Sequence, residues 1–149
     1  MQAGSRTDQT DEDVKHFSGT ATYSRDITVV PAQKAAGTRL YLDPGDGQNL
    51  ARVRLNGRDP GAMWKAPYVV EITAVSTAGA NRLELEITNT WLNRLVGDAG
   101  KPQEQRVTWA GSIGKGFSGG PGGSSTPEAA PAGLPGRIRL LSEVKIAAL

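Results

Sequence analysis

Apolar and polar residues alternate along several short segments of the chain. Residues 51–55 alternate apolar side chains with two arginines, and residues 82–88 alternate leucine and isoleucine with glutamate. A period of two puts the apolar side chains on one face of a β-strand. Asn56 and Gly57 follow the first segment, and this dipeptide tolerates positive φ and marks a tight hairpin. The pattern predicts two strands, each with one buried face, and a tight turn after the first.

Weaker strand patterns occur elsewhere, and no window of eleven or more residues has helical periodicity. About seven or eight short strands separated by turn residues are typical of a sandwich or jelly roll. We therefore predict an all-β fold, an antiparallel β-sandwich of the jelly-roll type. The further strand segments are residues 17–30, 37–43, 63–64, 68–72, 105–109 and 136–141, the last continuing toward residue 146.

The length of 149 residues fits one domain with one hydrophobic core. Residues 1–15 are mostly polar and predict a flexible N-terminal segment, which leaves residues 16–149 as a single sandwich domain. Within that domain, residues 111–136 are rich in glycine and proline and have nothing apolar larger than alanine between Phe117 and Leu134. This composition predicts one long mobile loop.

Charge and cysteine content narrow the classes of function. The chain has 17 Lys and Arg against 15 Asp and Glu, a formal charge of +2, and its basic residues do not cluster, which argues against nucleic-acid binding. Without cysteine there is neither a disulfide framework nor a thiolate metal site. No apolar run reaches the length of a membrane helix, and the first five residues lack the pattern of a signal peptide. We expect a soluble chain without a membrane partner.

Two places in the sequence have residues of the types that enzymes use for catalysis. Glu84 and Glu86 lie two residues apart, so a strand places both carboxylates on one face, as an acid/base pair requires. A solvated outer face with cross-strand ion pairs explains these glutamates and Arg82 equally, and we favour it. His16 is the single histidine, and no nucleophile motif accompanies it. The sequence therefore indicates no catalytic residue.

A metal site is a weak alternative at the turn that follows the second predicted strand. Asp43, Asp46 and Asn49 offer oxygen atoms of the kind that calcium prefers. Their spacing is not that of an EF-hand loop, and a plain turn explains them. We predict no cofactor and leave calcium open.

The densest group of candidate binding residues follows the strand of residues 82–88. Trp91, Asn93, Arg94 and Asp98 combine an aromatic ring with an amide, a guanidinium and a carboxylate. Aromatic faces stack on sugar rings, and the polar groups bind hydroxyls, so this mixture suits carbohydrate. In the alternative, Trp91 and Leu95 pack beneath the segment while Asn93 and Asp98 cap turns. Both interpretations stay open at the level of sequence.

A second aromatic pair, Trp64 and Tyr68, poses the same choice between a ligand site and packing. For Trp64 we favour packing in the core or at a sheet edge. Tyr68 is a tentative member of the same carbohydrate site.

Six stretches together resemble the galactose-binding-like, sugar-binding β-sandwich of glycoside hydrolase family 2 and, more closely, the terminal region of α-L-rhamnosidase-like enzymes of family 106. The resemblance implies a non-catalytic sandwich beside a separate catalytic barrel, with Trp91, Asn93, Arg94 and Asp98 in a segment that can reach the neighbouring active site. It also implies a secreted or periplasmic location. The stretches are FSGTATY (17–23), ARVRLNG (51–57), WKAPY (64–68), GANRLELEITN (79–89), WLNRLVGD (91–98) and GLPGRIRLL (133–141).

The sequence thus predicts a non-catalytic accessory module of a glycoside hydrolase that binds an oligo- or polysaccharide. One alternative is a structural domain that docks on a catalytic barrel without touching sugar. Another is a small hydrolase in its own right, which would need a pair of carboxylates about 5–10 Å apart.

Overall fold

The computed structural model describes residue 8 and residues 10–45, 50–99, 101–108, 129–133 and 137–144. Its strands are β1 (Thr20–Val29), β2 (Thr38–Asp43), β3 (Leu50–Leu55), β4 (Arg58–Met63), β5 (Val70–Glu71), β6 (Gly79–Thr88) and β7 (Arg139–Val144). Its α-helices are α1 (Glu12–Lys15) and α2 (Leu92–Ala99), and short 3-10 helices span Pro31–Lys34 and Gln103–Gln105.

The strands form two antiparallel sheets, in the orders β1-β6-β3-β4 and β5-β2-β7. In the first sheet, the register aligns Ala21, Ile87, Ala51 and Met63 in one row across all four strands. The predicted all-β sandwich is therefore confirmed, and its sheets do not close into a barrel.

The core lies between the sheets and consists of the residues that the alternation assigned to buried faces. Val53, Leu55 and Leu85 are completely buried, and they pack against Leu40 and Leu42 of the second sheet. Burying each such side chain contributes about 1.5–3 kcal/mol. Because the apolar side chains of β3 and β6 face the core, the polar side chains that alternate with them lie on the outer face of the four-stranded sheet.

The predicted hairpin between β3 and β4 is confirmed at Asn56 and Gly57, whose φ angles are 53° and 76°. Both central residues of a type I′ turn need positive φ, which explains the Asn-Gly pair. The side chain of Asn56 also accepts a hydrogen bond from the amide of Arg82 (2.9 Å) and donates one to Asn81 (2.8 Å). The turn is thus fastened to the start of β6.

Buried Asn81 has all its hydrogen-bonding capacity used. Its Oδ1 accepts from the amide of Thr77 (2.8 Å), and its Nδ2 donates to the carbonyls of Thr77 (2.7 Å) and Gly79 (2.9 Å). A buried amide costs little when every polar atom is paired, so this residue fixes the corner before β6.

Two expectations about local structure were wrong. Residues 92–99 form helix α2, although the sequence predicts an all-β fold with no helical periodicity. The strand predicted at residues 105–109 is not formed over 105–108, because Gln105 ends a 3-10 helix and the amides of Val107 and Thr108 bond to Asp98 instead of a neighbouring strand. Helix α1 also lies within the segment predicted to be flexible, and Asp11 caps it by accepting from the amide of Asp13 (2.9 Å).

Some predictions fall on parts of the chain outside the described residues. These include most of the predicted mobile loop (residues 111–128 and 134–136), residues 1–7 and 9 of the predicted flexible segment, and the continuation of the last strand beyond residue 144. Among the helices that the structure describes, none is long and apolar enough to span a bilayer.

Candidate functional site

Helix α2 begins directly after Trp91, whose carbonyl accepts a hydrogen bond from the amide of Leu95 (3.0 Å). The preceding Asn89 extends the pairing of β1 with β6 beyond the strands, since its Oδ1 accepts from the amide of Gly19 (2.8 Å) and its Nδ2 donates to the carbonyl of Phe17 (2.7 Å). The Trp91 side chain is 68 % exposed. A fixed backbone therefore presents an indole to solvent.

Asn93 lies on the opposite, buried side of α2 and is only 2 % exposed. Its side chain forms a reciprocal pair with the backbone of Ala130, accepting from the amide (2.8 Å) and donating to the carbonyl (2.8 Å). This pair holds residues 129–133 against the helix. Asn93 thus uses its amide inside the domain.

Asp98 is buried near the end of α2 and connects it to residues 101–108. Its Oδ2 accepts from the amides of Val107 (3.0 Å) and Thr108 (2.7 Å) and from the Thr108 hydroxyl (2.7 Å), while its Oδ1 lies 3.5 Å from Nε of Arg94. Burial acts to raise the pKa of Asp98, but the hydrogen bonds from Thr108 and Val107 and the charge of Arg94 outweigh it and lower this pKa. The carboxylate stays ionised and anchors the segment.

Arg94 is half-buried and takes part in two contacts that fix the helix. Its guanidinium faces Asp98, and its backbone amide donates to Oγ of Ser18 (3.0 Å). The first amides of a helix have no partner within it, so the Ser18 hydroxyl satisfies one of them. Sequence reasoning missed Ser18, because the cap comes from a residue 76 positions away.

The four candidate residues on this segment therefore divide into two groups. Asn93, Arg94 and Asp98 bind the chain's own groups and hold α2 in place, as the structural alternative requires for Asn93 and Asp98. Trp91 points outward, as a ligand contact requires. The structure brings the polar residues together around the helix and leaves the aromatic residue free.

The expectation that Trp64 packs in the core or at a sheet edge was wrong. Trp64 follows β4 and is 70 % exposed, with Nζ of Lys65 5.2 Å from its ring centroid. Met63 takes the buried position, and the alternation of the strand turns the next side chain outward. Tyr68 is half-buried and packs against the core.

Trp64 and Trp91 belong to the same end of the four-stranded sheet. Thr88 at the end of β6 pairs with Leu50 at the start of β3, and the adjacent β4 ends at Met63, opposite Ala51. Neighbouring strands are about 4.8 Å apart, so the β6 and β4 ends are separated by about 10 Å. We call this end of the sheet, which carries Leu50, Trp64 and Trp91, the aromatic end.

The candidate catalytic and metal-binding carboxylates lie elsewhere. On the outer face, Glu86 Oε1 is 3.4 Å from Arg54 Nε, and Asp26 Oδ1 is 3.1 Å from Arg82 Nη1, so the predicted cross-strand ion pairs are confirmed for Glu86 and Arg82. Asp43 faces Arg139, with 2.8 Å between Oδ2 and Nη2, while Asp46 and Asn49 lie outside the described residues. Within the described ranges, no three His, Asp or Glu side chains group as metal ligands.

Comparison with known proteins shows relatives among glycoside hydrolases. A rhamnosidase from Novosphingobium sp. PP1Y has a TM-score of 0.75 and 37 % identity over 94 % of this chain. A protein of Formosa agariphila named "Putative beta-glucuronidase" is 41 % identical over 91 residues, 61 % of this chain. The resemblance to a domain of rhamnosidase-like glycoside hydrolases is confirmed.

This glycoside hydrolase-like domain corresponds to a small part of each relative. The chain spans 12 % of the rhamnosidase and 8 % of the Formosa protein. A β-glucuronidase from Ruminococcus gnavus, with 19 % identity and a TM-score of 0.51 over 58 % of this chain, shares the fold. No protein-family model matches the chain.

Proposed function

We propose that the chain is a non-catalytic accessory domain of a glycoside hydrolase and that its aromatic end binds carbohydrate. One observation carries the proposal: Trp64 and Trp91, 70 % and 68 % exposed, lie at the same end of one sheet. Large apolar side chains are usually buried, so two exposed indoles at one end of a sheet favour a binding role.

The fixed backbone around Trp91 supports this role. Hydrogen bonds of Asn89, Asn93 and Asp98 fix the backbone on both sides of Trp91. A ligand that stacks on a rigidly held indole does not have to order a loop first, so less binding free energy is lost. Indole rings offer a flat apolar face with few rotatable bonds, which suits the C–H face of a sugar ring.

The environment of the carboxylates favours a non-catalytic role. Glycoside hydrolysis generally uses two carboxyl groups on either side of the bond that is cleaved. Of the glutamates considered for such a pair, Glu86 faces Arg54 on an open sheet surface. Asp98 is buried and accepts hydrogen bonds from the backbone. Glu86 thus contacts a guanidinium and Asp98 contacts the domain's own amides, and neither lies opposite a second carboxylate in the contacts described.

Calorimetric titration of the purified chain tests the proposal. The ligands are oligosaccharides containing rhamnose, galactose or uronic acid, each with and without calcium. We expect saturable binding that Trp91→Ala removes without changing the unfolding temperature. Val107→Ala, which also truncates an exposed apolar side chain, is the control and should bind like the wild type. A folded wild-type chain that binds no sugar at millimolar concentration contradicts the proposal.

A structural docking role is the second candidate, and the exposure of Leu50 favours it. Leu50 is 46 % exposed at the aromatic end, although an aliphatic side chain has no stacking role toward sugar. A docked domain would cover this side chain together with the two indoles. In that case the isolated chain should self-associate, and Trp64→Ala with Leu50→Ser should restore a monomer in light scattering.

A further inference from the structure

The surface around Trp64 combines an aromatic ring with a positive charge. Leu50 and Trp64 occupy adjacent strand positions at the aromatic end, since Ala51 pairs with Met63 and each is one residue away. Both side chains are exposed. Because successive residues of a strand alternate between faces, both follow the outer face, opposite to buried Ala51 and Met63.

Lys65 supplies the charge. Its Nζ lies 5.2 Å from the Trp64 ring centroid, and no described carboxylate lies within ion-pair distance of it. A cation above an exposed aromatic ring gains only a small free energy, so the ammonium can leave the ring for an anion. This lysine is therefore available for a charged ligand.

The nearest charged residues of the outer face are already paired. On the strand next to β4, Arg52 Nε donates to Oδ2 of Asp59 (2.7 Å), and Arg54 faces Glu86. The hydrogen bond from Arg52 lowers the pKa of Asp59, which keeps that carboxylate ionised and the pair neutral overall. Among the residues that the structure describes, Lys65 thus has no carboxylate partner next to Trp64.

We infer that Trp64 and Lys65 form a subsite for an acidic sugar residue, a uronic acid within an oligosaccharide. The inference rests on the proposed carbohydrate-binding function and adds the class of sugar. The sugar ring stacks on the indole, and its carboxylate accepts a charge-assisted hydrogen bond from Nζ of Lys65. A small inorganic anion would bind only Nζ of Lys65 and leave the Trp64 indole exposed, whereas a uronic acid covers both groups.

Matched ligand pairs test the subsite. Each uronic-acid oligosaccharide is titrated beside its carboxyl-reduced form, which has the same linkages and stereochemistry and no charge. We expect the wild-type chain to bind the acidic member about tenfold more tightly, the size of one charge-assisted hydrogen bond. Lys65→Gln should abolish this preference while leaving the affinity for the neutral member unchanged. Trp64→Ala should weaken the binding of both.

Arg58→Gln provides the control, because Arg58 is an exposed cation at the opposite end of β4 and its loss changes the net charge equally. Preference for the acidic member must survive this substitution. Equal binding of both members by the wild type, or a preference that Lys65→Gln leaves intact, overturns the subsite and leaves carbohydrate binding standing. Absence of binding to every member overturns the proposed function and the subsite together.

Discussion

The side chain of His16 fills the space that a side chain on Gly97 would occupy. A Cβ built on Gly97 would lie 2.6 Å from both Cβ and Cγ of His16, closer than such atoms approach each other. Helix α2 and the end of α1 therefore meet at a position that only glycine permits.

Gly97→Ala should consequently change stability in opposite directions in two backgrounds. In the wild type we expect a loss of about 1–3 kcal/mol from overpacking against His16. With His16→Gly already present, which removes both Cβ and Cγ, the same change should stabilise by about 0.5–1 kcal/mol, since alanine favours the helix. Urea unfolding of the four proteins measures both values. Equal effects in the two backgrounds would contradict the contact.

We predict that Asp98 makes the free energy of unfolding fall as the pH is lowered. Its pKa is lowered in the folded chain, so the contribution of its carboxylate is complete above the unfolded value of about 4 and disappears as pH falls through the folded value. Asp98→Asn should lower the free energy of unfolding by about 3 kcal/mol at neutral pH, because Arg94 loses its partner. The variant should also lose less stability than the wild type between pH 5 and pH 2, as urea unfolding across a pH series would measure. If the free energy of unfolding of the wild type and of Asp98→Asn fell equally between pH 5 and pH 2, the stabilising role of the Asp98 carboxylate would be contradicted.

Substitutions at Asn93 and Trp91 should differ in their effect on stability. Asn93→Ala removes both hydrogen bonds to Ala130 and should cost about 2–3 kcal/mol, whereas Trp91→Ala should stay within about 0.5 kcal/mol of the wild type. Thermal unfolding followed by circular dichroism compares the two variants. A larger loss for Trp91→Ala would indicate that its indole is packed.

The core assignment predicts a contrast between two leucines. Leu85 is completely buried between the sheets, and Leu141 of β7 is 41 % exposed. Leu85→Ala should destabilise by about 2–5 kcal/mol through lost contacts and a cavity, while Leu141→Ala should cost less than about 1 kcal/mol. Chemical denaturation measures both, and similar losses would argue against the buried position of Leu85.

Much of the sandwich could be predicted because its information is local. Alternation along β3 and β6 sets which face is buried, and the Asn56-Gly57 pair sets the turn between β3 and β4. Residues 92–99 could not be predicted in the same way. A helix of eight residues is too short to be stable alone, and it depends on Ser18 and Ala130, which are distant in sequence.

The candidate site was predicted in composition and only partly in arrangement. The sequence identifies Trp91, Asn93 and Asp98 as one group, but residue types do not reveal which side chains turn inward. The sequence favours packing for Trp64, and only the burial of Met63 decides that its neighbour faces solvent. Lys65 was missed, although its position next to Trp64 was a usable signal.

The pairing of β2 with β7 has a consequence for how the protein is made. Tyr41 and Glu143 form a hydrogen bond across 102 positions in the sequence. Strand β2 therefore cannot pair on this side until β7, near the other end of the chain, has been synthesised. During synthesis on the ribosome, at about 5–20 residues per second, the first sheet can assemble while β2 still has a free edge. That edge is a site for misassembly between nascent chains until β7 emerges and covers it.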